Sequence, residues 1–243
     1  MACHNWYPGT IQNNTDGACE VARNLHASET TCGPSRLKCY WSNSLFSDQA
    51  NEFITRNANS SKPFFLYFST TTPHAGDLSG AKTAFPTPAP YNTRFTQYDQ
   101  PDNDFASAVS AMDDFVGRIM DTLKASNVYD NTLVFFSGDN GPDSHPFATF
   151  DDPGPFRGKK RSLHEGGVRQ VIVAQWPARV KADSQSNHLF AFWDFLPTAA
   201  DAAGIPPAQW PQTDGLSALA TLEGRPATQQ AQHKYAPPCL PAA

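Results

Sequence analysis

The chain has little charge and no long apolar run. Charged residues make up 17% of its 243 residues, and the net charge of −5 lacks the basic excess typical of nucleic-acid-binding proteins. The longest apolar runs, such as FFLYF, are far too short to span a bilayer, and the N-terminus MACHNWYPGT has no apolar core of a signal peptide. We therefore expect no nucleic-acid partner and no membrane span. Hydrophobic residues amount to 40%, which is enough for a folded core.

Cysteine is concentrated at the start of the chain. Cys3, Cys19, Cys32 and Cys39 precede the only other cysteine, Cys239. Their spacings match no zinc pattern, so disulfides are favoured over a metal cluster. Residues 1–40 show no hydrophobic periodicity, and we predict an irregular, Cys-containing loop region there.

Apolar periodicity after residue 40 predicts alternating helices and strands. A helix at 41–57 is followed by an apolar strand at 63–69, and the clearest helix, DFASAVSAMDDFVGRIMDTLKASN, leads to a second apolar strand at 132–137. Such a crossover unit should place the two strands parallel in one sheet. A third apolar run at 171–176 and a helix ending at Gly204 come next.

Polar residues follow the first two predicted strands. Open parallel sheets gather ligands at the carboxyl ends of their strands, where one loop carries His74 and the other carries Asp139 and Asn140. Asp and Asn oxygens suit calcium or magnesium, although Asp-Asn-Gly-Pro is also an excellent turn. His74 alone fits a hydrogen-bonded loop histidine as well as a catalytic one.

A basic cluster follows in FRGKKRSLHEGGVR, which contains Arg157, Lys159, Lys160 and Arg161. It fits either a solvated surface run or an anion pocket in which glycines allow close approach of the backbone. A cation beside a divalent metal requires a strongly anionic ligand, such as sulfate or phosphate. The residues therefore predict a metal-assisted site for an anionic ester.

Five ordered blocks resemble the sulfatase family, in its arylsulfatase and N-acetylgalactosamine-6-sulfatase branch: KPFFLYFSTTTPHAG, DNTLVFFSGDNGP, RGKKRSLHEGGVR with WPARV, FWDFLPTAADAAGI, and DGLS. The resemblance implies an α/β fold, the alkaline-phosphatase-like sandwich with a mostly parallel sheet flanked by helices, incomplete at both ends. It implies central to C-terminal catalytic-domain sequence at 41–220 and an irregular tail at 221–243. The implied protein is a secreted or lysosomal enzyme that hydrolyses aryl or carbohydrate sulfate esters.

The resemblance also implies roles for matching positions. Asp139 and Asn140 match the family's metal-binding pair, which holds Ca²⁺ or Mg²⁺. His74 matches the histidine that contacts the sulfate, and Lys160 matches the lysine that binds a sulfate oxygen.

Cys32 lies in TTCGPSRLKC, which contains the Cys-x-Pro-Ser-Arg pattern from which sulfatases make their catalytic formylglycine. In the family this motif lies far upstream of the histidine block and is followed by a different sequence. We therefore interpret Cys32 as a loop cysteine and expect the chain to be inactive alone. Hydrolysis of phosphate esters is an alternative, as is binding of sulfated glycans through residues 157–161 by a non-catalytic chain.

Overall fold

A computed structural model describes residues 11–15, 18–22, 28–32, 37–39, 41–74, 87–99, 102–143, 150, 154–225 and 228–229. The strands are β1 (Ile11–Thr15), β2 (Ala18–Ala22), β3 (Ser28–Cys32), β4 (Leu37–Cys39), β5 (Val134–Ser137) and β6 (Ile172–Gln175). The helices are α1 (Ser42–Asn57), α2 (Asp102–Ala125), α3 (Glu165–Val168), α4 (Phe195–Ala202) and α5 (Leu219–Leu222). Among these helices, none is both long and apolar enough to cross a membrane.

The chain forms two compact units. The first contains residues 1–126 and 140–169, and the second contains residues 127–139 and 170–243. The chain thus leaves the first unit after α2 and returns to it at Asn140. The boundary falls between Asp139 and Asn140, the two residues that the sequence groups as metal ligands.

Residues 1–40 contain regular structure, so the prediction of an irregular region was wrong. β1 pairs antiparallel with β2, and β3 pairs antiparallel with β4. Both pairs are hairpins of short strands, and β1 (IQNNT) and β3 (SETTC) are mostly polar in sequence. The absence of hydrophobic periodicity therefore hid them.

The core of the first unit lies between α1 and α2. The Trp41 ring, at the start of α1, packs 5.6 Å from the Phe115 ring of α2 and 6.2 Å from the Tyr91 ring. The exposed fraction of Trp41 and of Phe115 is at most 2%. Both predicted helices are confirmed, and their packing fixes the start of α1 beside the centre of α2.

The predicted strand at 63–69 pairs with no other strand among the described residues. Exposure alternates along it, with Phe64, Leu66 and Phe68 half-buried while Tyr67 is 77% exposed. That alternation is the period-2 geometry of a strand. Segment 63–69 therefore has the exposure pattern of a strand but has no strand partner among the described residues.

The second unit is built on β5 and β6, which pair antiparallel with Phe136 opposite Val173. The parallel pairing predicted for 63–69 and 132–137 is not among the strand pairings of the described residues. On one face of this pair, the Phe135 ring lies 5.9 Å from that of Phe190 and 5.3 Å from that of Phe195.

A buried carboxylate joins α4 to the segment before α5. Asp194, which is 1% exposed, accepts hydrogen bonds from the backbone N–H groups of Ala191 (2.9 Å) and Leu216 (2.8 Å). The Thr198 hydroxyl accepts from the Ala218 N–H at 3.0 Å. The FWDFLPTAADAAGI and DGLS blocks thus form one buried polar network.

Candidate active site

His74 ends a short turn that follows segment 63–69. Its backbone N–H donates to the Thr71 carbonyl at 3.0 Å, and the Thr72 N–H donates to the Thr70 hydroxyl at 3.2 Å. Thr72 is buried, while Thr71 and His74 are half-buried. Local hydrogen bonds therefore hold the His74 backbone and keep the side chain partly out of water.

Lys160 and His74 are in direct contact, with Lys160 Nζ 2.9 Å from His74 Nε2. An ammonium group can only donate, so Nε2 is the acceptor of this contact whenever the imidazole is the Nδ1–H tautomer. With an oxyanion between the two groups, an imidazole protonated on Nε2 would donate as well. The pair is therefore suited to present two donors to one anion.

Tight backbone packing places Lys160. Its N–H donates to the Pro142 carbonyl at 2.8 Å, and the Gly141 N–H donates to the Gly167 carbonyl at 2.9 Å. A Cβ added to Gly141 would lie 1.9 Å from the Gly166 oxygen, so a larger residue does not fit there. The glycines of DNGP and EGGV thus let the Asn140 loop approach the Lys160 loop.

The other members of the basic cluster have different surroundings. Arg161 forms an ion pair with Asp143 at 3.7 Å, and its side chain is 78% exposed. Arg157 is exposed and Lys159 is half-buried. The Lys160 side chain contacts His74.

Asp139 and Asn140 follow β5 and belong to different compact units. Asp139 is exposed, and Asn140 is half-buried with its Nδ2 donating to the Gly141 carbonyl at 2.8 Å. The Asn140 Oδ1 stays available as an acceptor in that arrangement. The metal role of this pair stays a prediction.

The described part of the chain does not provide a complete metal site. It contains no group of three His, Cys, Asp or Glu side chains placed to hold an ion. Calcium requires about six to eight oxygen ligands, of which Asp139 and Asn140 can supply two. These two residues alone therefore do not complete the coordination of a metal ion.

Cys32 is the last residue of β3 and pairs with Leu37 of β4. It thus ends a hairpin strand rather than lying in an irregular segment, which corrects the expectation from sequence. Cys19 and Cys39 also lie in strands, whereas Cys3, Cys239 and His145 lie outside the described residues.

Asn43 contacts the turn that carries His74, although it belongs to no recognisable sequence motif. Its side chain is fully buried in the first turn of α1 and accepts a hydrogen bond from the Thr71 backbone N–H at 3.2 Å. In the sequence, Asn43 looks like any other asparagine in a polar stretch of helix. Only the fold connects it to the His74 turn.

Known proteins similar to this chain are sulfatases. The Sulfatase family model matches residues 1–205. N-acetylgalactosamine-6-sulfatase of Homo sapiens is 33% identical over 188 residues, which cover 74% of this chain and 32% of that protein. Arylsulfatase G of Homo sapiens is 28% identical over 221 residues, covering 87% and 38%. The chain therefore spans about a third of the length of the curated relatives it matches.

Solved structures show a similar fold. Ps i-CgsB, solved in complex with k-i-k-neocarrahexaose, is 29% identical with a TM-score of 0.60, over 70% of this chain and 36% of that one. The PsFucS1 sulfatase from Pseudoalteromonas sp. has a TM-score of 0.60 at 23% identity, over 78% and 36%, which shows the fold alone. The alkaline-phosphatase-like fold class is confirmed. With its family model matching most of its length, the chain belongs to the sulfatase family, whose members are sulfuric ester hydrolases.

Proposed function

We infer that this chain holds the sulfate group of a sulfate ester at the contact between His74 and Lys160. The 2.9 Å distance between Lys160 Nζ and His74 Nε2 carries the proposal, because it joins the two residues that match sulfate-contacting positions of the family. Two side-chain nitrogens from distant parts of the chain converge on one point, and both can donate once an anion binds there. An anionic ester oxygen is the ligand that best uses both.

Lys160 and His74 contribute charge and orientation. The Lys160 ammonium donates to one sulfate oxygen and offsets its negative charge, and the half-buried setting strengthens that interaction relative to water. His74 donates to a second oxygen and fixes the rotation of the sulfate group. Together they would stabilise charge that develops on these oxygens during hydrolysis in the whole enzyme.

Asp139 and Asn140 are proposed to contribute two oxygen ligands to Ca²⁺ or Mg²⁺. Sulfatases are generally metal-dependent, and both side chains lie in the loop that leaves β5. The remaining ligands must come from other residues, since two oxygens do not complete the coordination of either ion.

We propose a carbohydrate or aryl sulfate ester as substrate and a secreted or lysosomal location. The names of two relatives, N-acetylgalactosamine-6-sulfatase and arylsulfatase G, support this substrate class. The sequons at Asn13 and Asn59 support the location. Because Cys32 ends a hairpin strand and its motif lacks the family's flanking sequence, this chain alone is proposed to bind sulfate without hydrolysing esters.

Titration of inorganic sulfate into the purified chain tests the proposal. Lys160→Met should weaken sulfate binding about tenfold or more, because a hydrogen bond to a charged group contributes about 1.5–3 kcal/mol. Lys159→Met is the matched control, since it removes the same charge one residue away and should change the dissociation constant much less. Equal losses in both variants would show that only the general charge of the loop matters, and the proposal would fail.

Two other ligands are separated by the same titration. Phosphate binding tighter than sulfate binding would favour a phosphate-ester site. The exposure of Arg157 and Arg161 favours a second possibility, binding of sulfated polysaccharide along residues 157–161. In that case, affinity for the polysaccharide should fall steeply as the salt concentration rises, and Arg157→Met and Arg161→Met should weaken it. The same two substitutions should leave the binding of inorganic sulfate unaffected.

A further inference from the structure

Asn43 connects the start of α1 to the turn that carries His74. Its side chain is 0% exposed. Its Oδ1 accepts three hydrogen bonds, from the Thr70 hydroxyl (2.9 Å), the Thr71 hydroxyl (3.0 Å) and the Thr71 backbone N–H (3.2 Å). One side-chain oxygen thus accepts all three hydrogen bonds, from residues 27 and 28 positions further along the chain.

The orientation of the Asn43 amide follows from its partners. The Thr71 backbone N–H can only donate, so the atom that faces it must be the oxygen and not the nitrogen. The two hydroxyls rotate to donate to the same oxygen. Asn43 is therefore an acceptor for residues 70–71, and a residue without an acceptor at this point would leave the Thr71 N–H unsatisfied.

The two residues held by Asn43 also build the turn that ends at His74. The Thr71 carbonyl accepts from the His74 N–H at 3.0 Å, and the Thr70 hydroxyl accepts from the Thr72 N–H at 3.2 Å. Each of them is therefore bonded on one side to Asn43 and on the other side to the turn. His74 in turn contacts Lys160 at 2.9 Å.

We propose that Asn43 is a positioning residue for the sulfate site, which it serves by fixing the 70–74 turn and so holding His74 against Lys160. The expected effect on sulfate binding rests on the proposed function, whereas the expected effect on the His74 side chain does not. The hydrogen bonds that Asn43 Oδ1 accepts come from Thr70 and Thr71. Its influence passes through Thr71 and the turn.

Asn51 offers a matched control in the same helix. It is also an asparagine of α1 with a tertiary hydrogen bond, accepted by its Oδ1 from the Thr122 hydroxyl at 2.6 Å. That bond joins α1 to α2 and does not involve the His74 turn. Asn51→Leu and Asn43→Leu thus make the same chemical change, and only the second removes the acceptor for the turn.

The test reads the His74 ring directly by NMR in the ligand-free chain, with its imidazole signal assigned from its loss in His74→Gln. In the parent chain, Lys160→Met should shift the His74 signal because it removes the neighbouring ammonium. The shift should persist in an Asn51→Leu background and be lost in an Asn43→Leu background. If it persists in both, Asn43 does not hold the contact and the proposal is overturned.

Sulfate titration supplies the second measurement. Asn43→Leu should raise the dissociation constant for inorganic sulfate about tenfold, close to the effect of His74→Gln, while Asn51→Leu should change it less than about twofold. An unchanged constant in Asn43→Leu would contradict the proposal. If the parent chain binds no sulfate at all, the proposed function fails, and the NMR measurement still decides whether Asn43 positions His74.

Asn43→Asp guards against a variant that does not fold. Aspartate keeps an acceptor oxygen of the same reach, and the first turn of a helix favours a negative charge. The response of the His74 signal to Lys160→Met should therefore survive in Asn43→Asp. Thr71→Val, which removes one hydroxyl donor only, should give an intermediate response. Loss of the response in Asn43→Asp with an unaltered fold would also refute the acceptor role.

Discussion

Lys160 Nζ and His74 Nε2 lie 2.9 Å apart although 86 positions separate the two residues in the chain. The contact lies within one compact unit, and backbone hydrogen bonds hold the loops on both sides of it. A lysine and a histidine gain one shared hydrogen bond from each other. An oxyanion between them would give each its own charge-assisted bond, which is the stronger interaction.

Calcium binding by this chain should be weak, with a dissociation constant of about a millimolar, because Asp139 and Asn140 supply two of the oxygens that the ion requires. Calorimetry on the purified chain measures it, with Asp214→Ala as a control that removes an exposed carboxylate elsewhere. Tight binding that Asp139→Ala abolishes would contradict this expectation and would mean that a further carboxylate completes the site. Asp143 would then be the first to replace.

Asp194 should be important for stability rather than for the chemistry of the site. Asp194→Ala leaves two backbone N–H groups, those of Ala191 and Leu216, without their buried acceptor. We expect a loss of about 2–4 kcal/mol in the free energy of unfolding. Urea denaturation measures this, and Asp214→Ala, at an exposed aspartate close by in sequence, should stay within about 0.5 kcal/mol of the parent. Equal effects of the two variants would argue against the buried network.

Glu223 should make stability depend on pH in the acid range. Its side chain is 10% exposed and pairs with Arg179 and Arg225. Burial acts to raise the pKa of Glu223, but the hydrogen bonds and charges of Arg225 and Arg179 outweigh it, and the pKa lies below its ordinary value of 4.5.

A carboxylate whose pKa is lower in the folded state stabilises the fold above its unfolded pKa, and this contribution is lost as the pH falls through the folded pKa. The difference in unfolding free energy between the parent and Glu223→Gln should therefore be largest near neutral pH and shrink below about 4.5. Chemical denaturation at a series of pH values measures it, with the exposed Glu52→Gln as control. A difference that does not vary with pH would show that the arginines contribute nothing through charge.

Cys32 should keep its sulfur when the chain is made in a secretory host. Conversion to formylglycine replaces the thiol by an aldehyde, so peptide mass spectrometry around this residue distinguishes the two. We expect a thiol or a disulfide, and no hydrolysis of an aryl sulfate by the purified chain. An aldehyde at Cys32, together with activity that disappears in Cys32→Ala, would show that this residue is the nucleophile after all.

The elements with a strong local pattern could be predicted from sequence. The apolar runs at 132–137 and 171–176 form β5 and β6, and the helix predicted before Gly204 forms α4. Gly204 adopts a φ of 72°, the left-handed conformation expected after a helix. In each case a local pattern within about ten residues was enough, a continuous apolar run for the strands and helical periodicity for the helix.

Strand pairing could not be predicted in the same way. The run at 63–69 is as apolar as β5, but nothing in it specifies a partner, and β5 pairs instead with the later β6. The crossover prediction concerned His74 with Asp139 and Asn140, whereas only the match to the family grouped His74 with Lys160, which lie 2.9 Å apart. The hairpins before residue 40 were missed because their sequences show no apolar periodicity, and the hydrogen bonds of Asn43 were missed because polar contacts leave no apolar signal.

A crystal structure of the chain grown with selenate tests the central claim most directly. Selenate has the shape and charge of sulfate, and the anomalous scattering of selenium marks its position without ambiguity. The account predicts an anomalous peak with selenate oxygens within hydrogen-bonding distance of both Lys160 Nζ and His74 Nε2, and no such peak in Lys160→Met. A peak bound by Arg157 and Arg161 instead, or none at the His74–Lys160 contact at saturating selenate, would contradict it.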